Sequence, residues 1–428
     1  MAGNAYTDHL GRPIVAVTGM GVVTSLGQGL TDNWNALTSG RSGIHEITRF
    51  PSDHLSTRIG GTVDFMSLPA DNSVERCFAF ARETTREALA AAGWSGDFDA
   101  PLFLAAPPVE PEWSHRFDLA DRVPEDRREG TAYEQFLEVL RAKPDPYLFD
   151  VIQFGTISER LADTFGTRGL PVTLSTACAS GITAIQLGIE AIRQRRTDRA
   201  LTVATDGSVT VEALIRFSLL SALSTQNDPP EKASKPFTRD RDGFVIAEGA
   251  ATLVLESLES AVARGAKVLG IMKGVGEKAD HFHRTRSSPD GGPAIATIRA
   301  ALEDAGLSAA DIGYINAHGT STPENDKMEY LALSNVFGDL MPKVPVSSNK
   351  SMIGHTLTAA GAVEAVFSLQ TMLTGTLPPT INYDNPDPTI ELDTVPNVKR
   401  DKAVTGVLSN SFGFGGQNAC LVMTAEPA

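Results

Sequence analysis

The sequence predicts an α/β protein made of two similar halves packed as layers. Three observations predict it. Apolar, strand-like runs alternate with helical patterns along the chain, the alternation starts afresh at Ala266, and each half carries a polar loop directly after a buried strand. The two halves are expected to be residues 1–265 and 266–428.

Residues 13–23 read as a buried strand ending in glycines. Its Gly19-x-Gly21 is a weak dinucleotide signal, because the third glycine is missing where Thr24 stands. A short helix begins at Trp34 and stops at Gly40, and residues 74–92 form a longer one with a Gly93 stop. Residues 107–150 change character: Glu110, Glu112, Arg116, Asp118, Asp121, Arg122, Glu125, Asp126, Arg127, Arg128 and Glu129 crowd together with prolines, before a helical pattern at 133–140. A solvated surface insertion is the plain expectation there, with a lid or a subunit contact as alternatives. Strands are expected at 200–207, 252–255, 267–275 and 312–317, and helices at 294–305 and 356–373. The loop 236–244 is dense in alternating charge between two apolar stretches, which suits a buried ion-pair network.

Composition narrows the function classes. Apolar residues at 42% and charged ones at 21% describe an ordinary globular protein, and 37 basic against 52 acidic side chains leave a formal charge of −15. That balance argues against a general nucleic-acid binder, since phosphates are held by a basic face. Cys77, Cys178 and Cys420 are widely spaced and contain no Cys-x-x-Cys pair, so neither a disulfide framework nor a zinc signature is present. The start of the chain, from Met1 to Asp8, lacks the basic-then-apolar order of a signal peptide, and 356–373 is short and polar for a membrane span. A reducing, cytoplasmic setting is expected.

The chemistry gathers at five places. Leu174-Ser175-Thr176-Ala177-Cys178-Ala179-Ser180-Gly181 follows a short strand, and Ile182, Ile185, Ile189 and Ile192 then fall on one helical face. Cys178 thus sits on a strand-to-helix turn among small residues, where a helix N-terminus favours thiolate. His318 ends the strand at 312–317 and is followed by Thr320, Thr322 and Pro323, with Asp326 and Glu329 on the next helix. Lys350 and His355 share a loop, and Glu364 lies on the Ala/Gly-rich helix after it. Asn410-Ser411-Phe412-Gly413-Phe414-Gly415-Gly416 is a turn between two strands. Singly, each has a bland reading: a small buried cysteine, a satisfied histidine, a structural Lys–Glu pair, a tight hairpin. Together, one Cys, two His, one Lys and one buried Glu suit nucleophilic acyl chemistry with oxyanion stabilisers.

In these motifs the chain resembles the β-ketoacyl-acyl-carrier-protein synthases, the elongating ketosynthases of type II fatty-acid synthesis. The resemblance spans nearly the whole chain and rests on Thr176-Ala177-Cys178-Ala179, Arg241-Asp242-Gly243-Phe244, 316–323, Lys350 to His355 with Gly361-Ala362-Val363-Glu364, and 410–416. It implies the thiolase fold, layered α-β-α-β-α. It implies that Cys178 takes an acyl chain as a thioester and that His318 and His355 promote decarboxylation of malonyl-carrier. Lys350 then orients the histidines, with Glu364 as its buried partner. Phe414 gates the acyl pocket, and its N–H with that of Cys178 forms the oxyanion hole. Phe412, Thr320, Thr322 and Asp326 complete the supporting set. The resemblance implies an acyl carrier protein as partner, a homodimer, and neither metal nor redox cofactor.

The sequence departs from the family at Ala247-Glu248-Gly249, Thr238 and Gly415-Gly416-Gln417-Asn418, in the run Ala279 to Pro289, and through most of 101–150. The last two motivate an alternative: a specialised very-long-chain or polyketide-type ketosynthase. A further alternative is a non-catalytic partner subunit of a heterodimer, although such partners lack the nucleophile that Cys178 supplies. A biosynthetic thiolase would place a second catalytic Cys near the C-terminus. Cys420 instead lies in a strand-like run beyond the glycine turn.

Overall fold

A single hydrogen-bonded sheet runs through the molecule, which a computed structural model describes for residues 5–69, 72–125 and 129–426. Asp126, Arg127 and Arg128 of the charged stretch and the first four residues lie outside the described residues. The principal strands are β1 (Val15–Thr24), β2 (Leu102–Ala105), β3 (Val172–Leu174), β4 (Arg199–Asp206), β5 (Gly249–Ser257), β6 (Gly270–Ala279), β7 (Tyr314–Asn316), β8 (Val346–Ser347), β9 (Gly406–Phe412) and β10 (Gln417–Thr424). They lie in the order β8-β7-β9-β10-β6-β1-β5-β4-β2-β3. Read outward from the centre, β1-β5-β4-β2-β3 and β6-β10-β9-β7-β8 follow the same path. In each, two antiparallel pairings are followed by two parallel ones. The two paths meet where Val15, Ala16 and Val17 pair with Met272, Ile271 and Gly270.

Helices complete five layers. The helices Ser180–Arg193 and Ala360–Thr374 pack on each other between the two sheet halves. The second is buried nearly all round, as an apolar helix in a central layer must be. Ser73–Ala91 covers the outer face of β1, β5 and β4, and Gly292–Ala305 covers β6 and β10 with Pro323–Phe337 beside it. This is the thiolase-fold arrangement that the resemblance implied.

Two glycine pairs allow close backbone approaches. A Cβ on Gly19 would lie 2.1 Å from Ala88 O, and one on Gly21 2.2 Å from Thr84 O. The Gly-x-Gly of β1 therefore seats the Ser73–Ala91 helix rather than a dinucleotide. A Cβ on Gly181 would lie 2.5 Å from Ala362 N, and one on Gly361 2.8 Å from Ile182 N. These two let the inner helices touch backbone to backbone.

Several local expectations shift. The first helix is Leu30–Thr38, starting just after Gly29. The strand expected at 267–275 begins at Gly270 and runs to Ala279, because Gln417 of β10 pairs with it there. The strand expected at 312–317 shortens to Tyr314–Asn316 after the 3₁₀ turn Ala309–Asp311. Lys350 lies in a one-turn helix, Lys350–Ile353, rather than a loop. Residues 107–150 are not a plain solvated insertion. They form the helices Trp113–Asp121, Ala132–Ala142 and Pro146–Val151, and bury Leu119, Val123, Val139, Leu148 and Val151 in one cluster with Leu89 and Leu104. Of the charged side chains in the loop 236–244 only Arg241 is buried, 2.8 Å from Asp387 and 3.6 Å from Asp326, while Arg239, Asp240 and Asp242 are exposed. Among the described residues no helix is long and apolar enough to cross a membrane.

Gly19→Ala is expected to destabilise the fold by about 1–3 kcal/mol, the usual penalty of overpacking. Urea unfolding measures it, and an unchanged midpoint would contradict the contact with Ala88.

Candidate active site

Cys178 follows β3 and precedes the inner helix Ser180–Arg193. The turn is made by Ala177, whose φ of 50° is the left-handed region, costly for a residue with a Cβ. Ser180 holds it there: its hydroxyl donates to Ala177 O at 2.6 Å and accepts the Thr176 N–H at 2.8 Å. The turn aims the sulfur into a cavity of about 820 Å³, whose lining includes His318, His355, Thr320, Thr322, Phe412 and Phe414. His355 Nε2 lies 3.1 Å from Sγ. Burial pushes the Cys178 thiol up to about 11, against the opposing pull of the Phe414 N–H and the Lys350 charge. Burial thus favours the thiol, against the thiolate that a helix N-terminus favours.

The histidines arrive from the second half. At the end of β7 the backbone N–H groups of His318 and Gly319 each donate to the Glu329 carboxylate at 2.8 Å, and Asn410 Nδ2 donates to it at 3.1 Å. Burial pushes Glu329 up to about 7. Lys350, itself buried, forms an ion pair with Glu364 and donates to His318 Nδ1 at 3.3 Å. Burial pushes Glu364 up to about 7 even beside that ammonium. The backbone of His355 is clamped by Val245 and Ala247 at 2.7 and 2.9 Å, and the Leu357 N–H donates to His355 Nδ1 at 3.2 Å.

These bonds set the tautomers. Both Nδ1 atoms accept, so in each neutral ring Nε2 carries the proton. The rings are neutral because burial, and then the Lys350 charge, drive both well below the ordinary histidine range. They stand edge to face, with centroids 5.2 Å apart, and Phe244 and Phe412 flank them at 5.4 and 6.0 Å. The cysteine sulfur and one nitrogen of each ring fall within 4.8 Å of one another, a spacing that could bracket a metal ion. Protonated Nε2 atoms have no lone pair to give, so the trio is built to donate hydrogen bonds rather than to ligate.

The glycine turn closes the other side. A Cβ on Gly413 would lie 3.2 Å from Cys178 N, so the turn between β9 and β10 presses against the elbow. The half-buried Phe414 lines the cavity, and its loop is tied to the 280–284 segment by Asp280 N to Gly416 O and Gly415 N to Arg284 O, both 2.7 Å.

Cys178, His318, His355, Lys350, Glu364, Phe412 and Phe414 therefore come together. Thr320 and Thr322 line the cavity with hydroxyls 2.9 Å apart. Asp326 does not reach the cavity: it accepts the Phe237 N–H at 2.8 Å and faces Arg241 from behind. Glu329 had been placed on its helix without a role. Its signal was an acid at i, i+3, i+4 spacing with Ala332 and Leu333, on the face that the helix buries. Leu357 carried no signal, because its part is played by a backbone N–H.

A buried thiol, two neutral imidazoles and a glycine turn at the junction of two matching halves suit acyl transfer on a thiolase fold. Comparison with known proteins supports the class. The model for "Beta-ketoacyl synthase, N-terminal domain" matches residues 13–99 and 127–261, and that for "Beta-ketoacyl synthase, C-terminal domain" matches 269–384. The chain belongs to the β-ketoacyl synthase family. It is 36% identical over 417 residues to 3-oxoacyl-[acyl-carrier-protein] synthase 2 of Coxiella burnetii, covering 96% of this chain and 98% of that one. It is also 36% identical over 428 residues to the Synechocystis protein of the same name, with the same coverage. Among solved structures, a type II polyketide ketosynthase in complex with its acyl carrier protein superposes with a TM-score of 0.87 at 30% identity, covering 97% of this chain and 100% of that one. A β-ketoacyl synthase from Burkholderia phymatum gives 0.82 at 32% identity, covering 96% and 99%. The N-terminal model skips 100–126, within the stretch where the sequence departs from the family.

Alkylation of Cys178 by iodoacetamide is expected to rise about tenfold per pH unit from pH 7 to 10, as a buried thiol requires. A rate already at its plateau near pH 7 would reveal a resting thiolate.

Proposed function

We propose that this chain is a β-ketoacyl-acyl-carrier-protein synthase that condenses an acyl chain with malonyl-carrier, acting in fatty-acid biosynthesis. The observation that carries the reading is the pair of neutral imidazoles, each with a ring nitrogen within 4.8 Å of one buried thiol. In the first step Cys178 Sγ attacks the thioester carbonyl of the acyl-carrier. The carrier thiol leaves with the thiol proton, and the oxyanion is held by the N–H groups of Cys178 and Phe414. Malonyl-carrier then enters, and loss of CO₂ places charge on the thioester oxygen, where His318 and His355 donate. The enolate carbon attacks the Cys178 thioester carbonyl, the same backbone pair holds the second oxyanion, and its collapse expels the Cys178 thiolate, which takes a proton from water as the β-ketoacyl-carrier leaves two carbons longer. Lys350, fixed by Glu364, keeps His318 in its donating tautomer. Glu329 braces the end of β7 on which that ring stands.

Residues 1–265 supply the nucleophile and 266–428 supply the histidines and lysine. This division is supported by the repeated strand order and by family models that meet between 261 and 269. An acyl carrier protein is the partner, as in the polyketide ketosynthase complex. A homodimer is supported by the open edge of β3, where Leu170 and Val172 are exposed. Three free cysteines support a cytoplasmic setting.

A second reading concerns chain length. The cavity that holds Cys178 also reaches the ion pair of Glu110 and Arg216, whose side chains are 39% and 56% exposed. An opening on that side would let a very long acyl chain thread outward. Chain-length profiling decides between the two, and turnover confined to ordinary medium and long chains would remove the second.

Intact-protein mass after mixing with acyl-carrier is expected to show one adduct that Cys178→Ala abolishes and malonyl-carrier discharges. His318→Ala and His355→Ala are each expected to lower malonyl decarboxylation about 10²–10³-fold, the cost of losing one oxyanion donor. No adduct with any chain length would sink the condensing reading and revive that of a partner subunit.

A further inference from the structure

We infer that Asp206 is a positioning residue for His355, acting through a clamp on Thr358. The inference rests on the condensing reading for its kinetic consequence, but not for its structural one. Asp206 ends β4, is fully buried and lines the cavity. Its Oδ1 accepts the Ser208 N–H at 3.0 Å and the Ser208 hydroxyl. Its Oδ2 accepts the Thr358 N–H at 3.2 Å and the Thr358 hydroxyl at 2.7 Å. The two N–H groups, of Ser208 and Thr358, can only donate, so an amide nitrogen facing either of them would set a donor against a donor.

The anchor is rigid. Beyond Asp206, Gly207 donates its N–H to Cys77 Sγ at 3.0 Å and its carbonyl accepts from Arg76 Nε at 2.9 Å, and the Thr358 hydroxyl, with one proton to share, also lies 2.8 Å from Thr205 O. What is anchored lies next to the chemistry. Leu357, the residue before Thr358, has a φ of 46°, in the left-handed region. Its N–H donates to His355 Nδ1 at 3.2 Å. A leucine does not hold that backbone unaided, so its neighbours must over-determine it. The Ala359 N–H donates to Thr356 O and closes the turn around Leu357 and Thr358, and Asp206 holds the Thr358 N–H and hydroxyl from the far side of that turn. The path is thus from a first-half carboxylate, through Thr358, to the tautomer of a second-half histidine.

The test uses the full-length protein, ¹⁵N-labelled at histidine, with Asp206→Asn, Thr358→Val and Thr358→Ser. His355 is assigned by loss of its signals in His355→Gln. In the wild type the His355 ring is expected as the pure Nε2–H tautomer. In Asp206→Asn and Thr358→Val it becomes a mixture with Nδ1–H, and Thr358→Ser, which keeps the hydroxyl, restores it. Malonyl decarboxylation falls about 10-fold or more in the first two variants, as for a misplaced catalytic group, and acylation of Cys178 falls far less. If Asp206→Asn does not fold, the Thr358 pair carries the same comparison. An unchanged His355 spectrum in the variants would overturn the clamp, as would equal loss of both half-reactions without rescue by serine. A wild type that decarboxylates no malonyl-carrier would count against the condensing reading alone, since the spectrum still decides the clamp.

Discussion

The backbone contact between the two inner helices at Gly181 and Gly361 is the constraint on which the site depends. Each helix belongs to a different half of the chain. One begins two residues after Cys178, and the other carries Glu364 in its second turn. With no side chain between them, the halves close until a thiol from the first lies 3.1 Å from an imidazole of the second. Any Cβ at the crossing would separate the nucleophile from the donors before it disturbed either half by itself.

Closure brings desolvation, and desolvation writes the electrostatics. The thiol is pushed up, the two imidazoles down, and the carboxyls of Glu329 and Glu364 up to about 7. Lys350 is the cation around which these shifts are arranged. It depresses both imidazoles, counters the rise of the thiol, and is held by Glu364. The result is a dry site of neutral donors. Such a site costs little reorganisation when charge appears on a substrate oxygen, which is where preorganised hydrogen bonds lower a barrier most.

Much of this was legible in the sequence, for definable reasons. Alternating strands and helices, restarting at Ala266, announced two similar α/β halves because periodicity is local. Cys178, His318, Lys350, His355 and Glu364 were legible because each sits in an unusual setting of small residues. Three features were not. The desolvation of Cys178 was hidden because a helix N-terminus is visible in sequence and burial is not. Asp326 was placed with the site because it lies close to His318 in sequence, yet its carboxylate faces Arg241 and the Phe237 N–H instead. The packing of 107–150 was hidden because charged residues dominate its surface while Leu119, Val139 and Leu148 point inward one at a time.

The claim that carries the account is that both active-site histidines are neutral and protonated at Nε2 before any substrate binds. Neutron diffraction from deuterium-exchanged crystals at neutral pH tests it most directly. The account predicts deuterium on Nε2 of His318 and of His355, none on either Nδ1, and deuterium retained on the Cys178 sulfur. Deuterium on both nitrogens of either ring, or on Nδ1 alone, would contradict it.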